Sequence, residues 1–423
     1  MTSGRFSRTP DPFVSSARPA PGPADRRPMS GSRSRTVADP PRLAVVGTSG
    51  YAFSYLHRAR ILHDEGLVRF AGMADVRPPS AAATALLPEG GTAHPGVEDL
   101  LRHCRPDITV VATPPHAHVR VGGAVLRAGS DLLLETPPVL DLDGFTTLTR
   151  LAAESGVACQ TGFQSFGSPA LPVLKAAIDG GKLGDVVGVG AAGAWIRTDA
   201  YYRRNPWAGR RWLDGEAVVD GALTNPFSHA VATALLVGGV AGRDPAEIAL
   251  ELYGTRDIEA DDTACLRIRF GDGPEIVVAA SLCAEQDHEP YVVVHGVEGR
   301  AKFWYKSHRL EVDDERVHLG PPADLLRNLI AHHRDPAGVP LLAPLSRTRA
   351  FASVVEAVRD APSPSRIPAG WIRTVGEGAS RHPVVRGIGE EVAVAADRLA
   401  LFSEIGVPWA NAARPAAPAE RTG

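Results

Sequence analysis

RLAVVGTSGYA, residues 42–52, decides the fold. An apolar run closes on a glycine, and over residues 51–65 apolar side chains recur at helical spacing, so the stretch reads strand, tight turn, helix. The loop GTSGYA has the form Gly-x-x-Gly-x-Ala. Gly47 permits the turn, Gly50 lets backbone approach a pyrophosphate, and Ala52 is small enough for helix to pack on strand; Thr48, Ser49 and Tyr51 complete the cradle. Glycines also end many strands that bind nothing. Asp75 strengthens the dinucleotide reading, because it closes the next apolar run, VRFAGMAD, 25 residues beyond Gly50, where an acid would take the adenosine ribose hydroxyls. An acid there repels a 2′-phosphate and favours NAD over NADP, a preference that Arg77 moderates.

The same rhythm continues. Residues 95–103 read as helix, 107–112 as strand, 116–128 as helix, 131–135 as strand, 142–155 as helix and 157–163 as strand. Alternation of this kind implies a doubly wound parallel sheet, covered on both faces, in an N-terminal Rossmann domain over residues 39–162. Ligands of such sheets bind at the strand carboxyl ends. Thr113, Pro114 and His116 in one loop, Glu135, Thr136 and Pro137 in another, and Gln164 after the last strand therefore join the cofactor site. His118 reads as part of the helix start. From residue 168 the strand-like runs lengthen, and 186–196, 249–254, 263–270, 275–282, 290–295 and 300–304 suggest a six-stranded, mostly antiparallel open sheet. It places an α+β domain at 163–362, before an extension with one helix at 363–423.

The bulk composition excludes several classes. A formal net charge of −3 on 423 residues, with 22% charged residues, gives no field for nucleic acid or an anionic membrane. No apolar run approaches the ~20 residues of a membrane-spanning helix. Four cysteines lie far apart without a CxxC pair, so neither disulfide nor metal site is expected and a reducing cytoplasm fits. Residues 1–38 are rich in Pro, Ser, Gly and Arg and are expected to be disordered. The pair Arg26-Arg27 lacks the apolar core of an export signal, and Met29 offers an alternative start.

With these pieces placed, the chain resembles the Gfo/Idh/MocA oxidoreductases, named for glucose-fructose oxidoreductase, inositol dehydrogenase and a rhizopine catabolism protein. The matching segments, in order, are VVGTSGYA, MADV, DITVVATPPHAHV, GSDLLLETPP, GVACQTGFQSF, LKAAIDGGKLGDVVGV, NPWAGRRW and GALTNPFSHAV, across about residues 42–240. The resemblance implies a Rossmann domain, a second domain whose open sheet supports a homo-oligomer, and hydride transfer between nicotinamide and a sugar, cyclitol or related polyol. It places a Glu-Lys-Pro motif on Glu135, Thr136 and Pro137, and an Asp-x-x-x-His motif on Asn225 and His229. Thr136 and Asn225 depart from it. It also suggests Lys175 as a basic residue lining the site.

Oxidising an alcohol requires a base for the hydroxyl proton, and of the motif positions His229 alone keeps that capacity. Threonine carries no charge and asparagine takes no proton, so both are expected to position substrate. Trp195, Tyr201, Tyr202, Trp207 and Trp212 fall among Arg197, Arg203, Arg204, Arg210 and Arg211, a mixture that suits a sugar, or one bearing phosphate or carboxylate, as well as a plain core with a charged rim. Three readings stay open: an NAD-dependent dehydrogenase, a glycosidase using transient oxidation by bound NAD, and a nucleotide-binding sensor or inactive paralogue without turnover.

Overall fold

Short runs of branched apolar residues between glycine and proline turns can bury both faces only in a central sheet, and the chain builds one. The structure, a computed structural model, describes residues 39–412; the expectation for residues 1–38 lies outside them. Strands β1 (Arg42–Val46), β2 (Arg69–Ala74), β3 (Thr92–His94), β4 (Ile108–Val111), β5 (Asp131–Leu134) and β6 (Cys159–Thr161) form a sheet of order β3-β2-β1-β4-β5-β6, with every pairing parallel. Leu43, Val45 and Ile108 face one buried cluster and Ala44, Val46 and Val111 the other, as a doubly wound sheet requires. The order reverses between β1 and β4. Their carboxyl ends therefore open a crevice beside the Gly47 turn.

The second sheet has nine strands, three more than the sequence suggests. To β7 (Val186–Ile196), β10 (Glu247–Gly254), β11 (Thr263–Arg269), β12 (Glu275–Ser281), β13 (Cys283–Gly296) and β14 (Arg300–Trp304) it adds β15 (Arg309–Val312), β16 (Glu315–Val317) and β17 (Ser365–Arg366). β15 and β16 hide because charges interrupt their apolar residues, and their turn rests on Asp313 and Asp314, both at positive φ. Most pairings are antiparallel, with β7–β12 and β10–β17 parallel. A small hairpin, β8 (Trp212–Leu213) and β9 (Glu216–Ala217), stands apart.

One face of this sheet packs on the Ser228–Val237 helix through Val231, Leu235, Val278 and Val292. The other is covered by the chain's own last segment, where Ile388, Val392, Phe402 and Trp409 bury Val277, Val293 and Tyr253. Residues 367–410 thus cover this outer face of the sheet for which the resemblance implies an oligomer contact.

The Leu325–Arg334 helix returns to the first sheet. Leu326, Leu329 and Ile330 pack with Leu43, Val45 and Leu133, and His333 Nδ1 meets Asp131 at 2.6 Å. Gln160 fastens the return from inside, donating to the Leu325 carbonyl at 2.6 Å and accepting from the Ala343 amide at 3.1 Å.

Candidate active site

Gly47 sits at φ +102°, where a β-carbon would come within 2.6 Å of the Ala112 carbonyl oxygen. β1 must therefore end in glycine to lie against β4. Asp75 then holds the loop: one carboxylate oxygen accepts from the Thr48 amide (2.9 Å) and hydroxyl (2.8 Å), the other from the Arg77 amide (3.0 Å). Arg77 reaches back to Ser49 Oγ at 3.1 Å. Gly50 is also left-handed, but a β-carbon there would meet nothing within 4 Å, since it looks into open space. That space is a cavity of about 1360 Å³ running from the loop, past β4 and β5, to the Ser228–Val237 helix.

A dinucleotide fits the residues at this end. Gly50 leaves room for a pyrophosphate, Asp75 keeps acceptor capacity beyond its three donors, and two buried polar atoms on the lining, Thr113 Oγ1 and His116 Nδ1, have no partner in the protein. Orphans of this kind cost free energy until a ligand satisfies them. His118, read from sequence as a helix start, has a sharper part. Fully buried, it lies between the Thr113 carbonyl (2.8 Å from Nε2) and the Pro137 carbonyl (2.9 Å from Nδ1), the neutral ring donating to one of them and packing against the other. Burial holds its pKa at about 4 against those two carbonyls, which favour the charged ring.

Glu135 is packed in where β5 ends. Its carboxylate accepts from the Thr136 amide (3.1 Å), the Tyr55 hydroxyl (3.4 Å) and Gln164 Nε2 (3.5 Å), and Gln164 also reaches Tyr55 at 3.3 Å. A β-carbon on Gly162 would lie 1.8 Å from its Oε2, so glycine there makes the space for the acid. Burial pushes Glu135 up to about 7. The Thr136–Pro137 peptide is cis, and Thr136 borders the cavity.

Across the cavity stand Asn225 and His229. The imidazole meets Phe163 edge-on (centroids 5.4 Å) and Tyr305 in parallel (6.4 Å); burial and then Lys306 hold its pKa at about 4. Asn225 Nδ2 donates to Asp220, a carboxylate that also accepts from the Gly209 amide (2.8 Å) and Arg204 (3.3 Å). A carboxylate only accepts, so the Asn225 amide must turn its nitrogen to Asp220 and keep its oxygen free. The acid missing from position 225 thus stands one layer behind it. Sequence reasoning passed over Asp220, whose link to Asn225 appears only in the folded chain.

Of the residues proposed from sequence, Gly47, Thr48, Ser49, Gly50, Tyr51, Asp75, Arg77, Thr113, Pro114, His116, Glu135, Thr136, Gln164, Asn225 and His229 line this one cavity. Ala52 and Pro137 support it from behind: Ala52 is buried against Gly47 and Pro137 receives His118. Lys175 does not come to the site. It lies on the outer face of its helix, paired with Asp179 at 2.7 Å, while Ala170 and Leu174 turn inward. The i,i+4 Lys–Asp spacing already pointed to that arrangement. From the aromatic and arginine cluster, Trp195, Arg197, Tyr201, Arg204 and Trp207 reach the cavity. Trp212 is largely exposed on β8, and Tyr202 stacks under Arg256 away from it.

A parallel sheet with a glycine turn at its crevice, facing a second sheet that brings a histidine to the same cavity, defines a dinucleotide-binding fold with a second domain over its crevice. The chain belongs to the Gfo/Idh/MocA family: residues 41–163 match its model described as oxidoreductase family, NAD-binding Rossmann fold, and 173–302 match its C-terminal domain model, together more than half the chain. A myo-inositol dehydrogenase, Hyg17 of Streptomyces leeuwenhoekii, is 31% identical over 145 residues, 34% of this chain. The match spans 43% of that relative's length. Among solved structures, the WlbA dehydrogenase of Bordetella pertussis in complex with NADH and UDP-GlcNAcA has a TM-score of 0.63 at 20% identity, over 76% of this chain and 97% of that one. The UDP-N-acetylglucosamine 3-dehydrogenase GnnA of Acidithiobacillus ferrooxidans has 0.61 at 18%, over 76% and 97%. At these identities the two structures speak to the fold. No helix among the described residues is long and apolar enough to cross a membrane.

Proposed function

We propose that the chain is an NAD-dependent oxidoreductase moving hydride between the nicotinamide and a carbon of a sugar, cyclitol or related polyol. The observation that carries this is the single cavity joining the Gly47–Gly50 loop to His229 and Asn225. The dinucleotide, when bound, supplies the hydride acceptor or donor. The chain's residues do the rest. Asp75 receives the ribose hydroxyls and disfavours a 2′-phosphate, so NAD is preferred to NADP. His229, neutral at pH 7 because burial holds it at about 4, has a lone pair for the substrate hydroxyl proton. Thr136 offers a hydroxyl and Asn225 its amide oxygen to neighbouring hydroxyls, fixing which carbon faces the cofactor. The relative named for inositol dehydrogenation supports the substrate class. NADH absorbance with a panel of sugars, sugar acids and cyclitols tests the reading: turnover with at least one supports it, and none with any member contradicts it.

A second reading, nucleotide binding without turnover, draws on the absence of an ammonium at position 136, where threonine cannot stabilise a developing alkoxide. Melting temperature raised by NAD, together with no redox activity on the panel, would favour it.

A further inference from the structure

Resting on the polyol reading above, we propose that the substrate carries an oxyanion, a carboxylate or a phosphate ester, that docks on Arg197 in the aromatic corner of the cavity. The Arg197 guanidinium lies over the Trp195 ring (4.8 Å to its centroid) and the Tyr201 ring (5.1 Å). One of its nitrogens donates to the Ile196 carbonyl at 2.9 Å, and its Nε is buried without a hydrogen-bond partner. Among the described residues no carboxylate lies within ion-pair distance of it. Two other arginines make the same kind of stack and do have acids. Arg204, over Tyr201 at 3.6 Å, pairs with Asp220 at 3.3 Å; Arg256, over Tyr202 at 4.6 Å, has Asp199 at 3.7 Å and Asp262 at 3.6 Å. Those two are balanced inside the protein. Arg197 faces the cavity without its counter-ion.

The surroundings agree in sign. Trp195 carries a second cation, the Lys306 ammonium, 4.9 Å from its ring centroid. The acids on the cavity wall are Asp75, Glu98 and Glu135, from the first domain, whereas the wall around Trp195 carries none. A cation stacked on aromatic rings and partly desolvated gains most from a planar, doubly accepting anion, which the guanidinium fork can meet with two hydrogen bonds. A neutral hydroxyl offers no charge to balance it. Position links the corner to the chemistry: Trp195 stacks on Phe227 (4.3 Å between centroids), two residues before His229. An anion held at Arg197 would therefore fix the sugar ring on the wall that carries the base.

The test uses the full chain loaded with NADH, followed by tryptophan fluorescence and melting temperature, with glucuronate and glucose 6-phosphate as charged probes and glucose as the neutral one. Binding of at least one charged probe about tenfold tighter than glucose, lost in Arg197→Gln and partly kept in Arg197→Lys, is the expected result. The two charged probes separate a carboxylate from a phosphate site. Equal binding of charged and neutral probes, no binding of either charged probe by protein that binds NADH, or a preference that survives Arg197→Gln would overturn the proposal. An unchanged melting temperature of unliganded Arg197→Lys guards against misfolding as the cause. If charged probes bind through Arg197 while no hydride transfer occurs, the oxyanion site stands and the oxidoreductase reading falls.

Discussion

The two ends of the cavity are built under different constraints. At the nucleotide end the demands are on backbone shape: Gly47 must lie against Ala112, Asp75 must hold the Thr48 and Arg77 amides, and His118 must pack between two loops. At the reaction end the demands are on charge, and there the residues depart from the family pattern. No ammonium stands at 136, the acid sits behind Asn225 at Asp220, and cations gather around Trp195 instead. The contrast teaches that backbone geometry sets one end of the cavity while the placement of charge sets the other.

That contrast can be broken at its packing first. Gly162→Ala sets a β-carbon against the Glu135 carboxylate and should cost about 3 kcal/mol of stability; a melting curve like that of the unaltered protein would mean that the acid has another place to go. An effect of similar size should follow from pH. His118 has a folded pKa of about 4, below its usual value, so stability is fully present above pH 6.5 and is lost as pH falls through 4, on the order of 3 kcal/mol. Glu135, raised to about 7, works in the opposite direction: its contribution is present below pH 4.5 and lost as pH rises through 7. Denaturant midpoints across pH 4–8 should therefore fall on the acid side in the unaltered protein, and Glu135→Gln should flatten the loss toward neutrality. A Glu135→Gln profile identical to the parent would contradict the buried acid.

The reaction end gives the next test. Thr136→Lys alone puts an ammonium opposite Asn225 rather than an acid, which should cost about 2 kcal/mol in stability or cofactor affinity. Adding Asn225→Asp should recover part of it. A single Thr136→Lys that is as stable as the parent and more active would mean that the site is a dehydrogenase lacking only its cation. The smallest effect is expected at Asp75→Ala, which should weaken NAD binding by about 1.4 kcal/mol, roughly tenfold, and NADP less. Titration by protein-to-NADH energy transfer measures both.

How much of this was legible in the sequence follows from the range of the forces involved. β1, β2, β4, β5 and β6 and their helices were readable because each is an apolar run punctuated by glycine or proline. The edge strand β3, Thr92–His94, was not, since an edge needs few apolar residues. The cofactor loop was readable because its geometry demands particular residue types. The relay from Asn225 to Asp220 to Arg204 was not, because it depends on contacts that only the folded chain creates. Lys175 shows the limit of resemblance: its position in the motif order suggested the site, and one step of helical rotation past Leu174 turned it outward.

The account rests on His229 working on a hydroxyl at the far end of a cavity that holds NAD. Its most direct test is NADH formation on a panel of sugars, sugar acids and cyclitols, run in parallel with the parent chain and His229→Ala, with the NAD-induced melting shift recorded for both. The account predicts turnover by the parent on at least one panel member, a fall of about 100-fold or more in His229→Ala, and the same NAD-induced shift in each. Undiminished turnover in His229→Ala, or a parent that binds NAD and oxidises nothing on the panel, would contradict it.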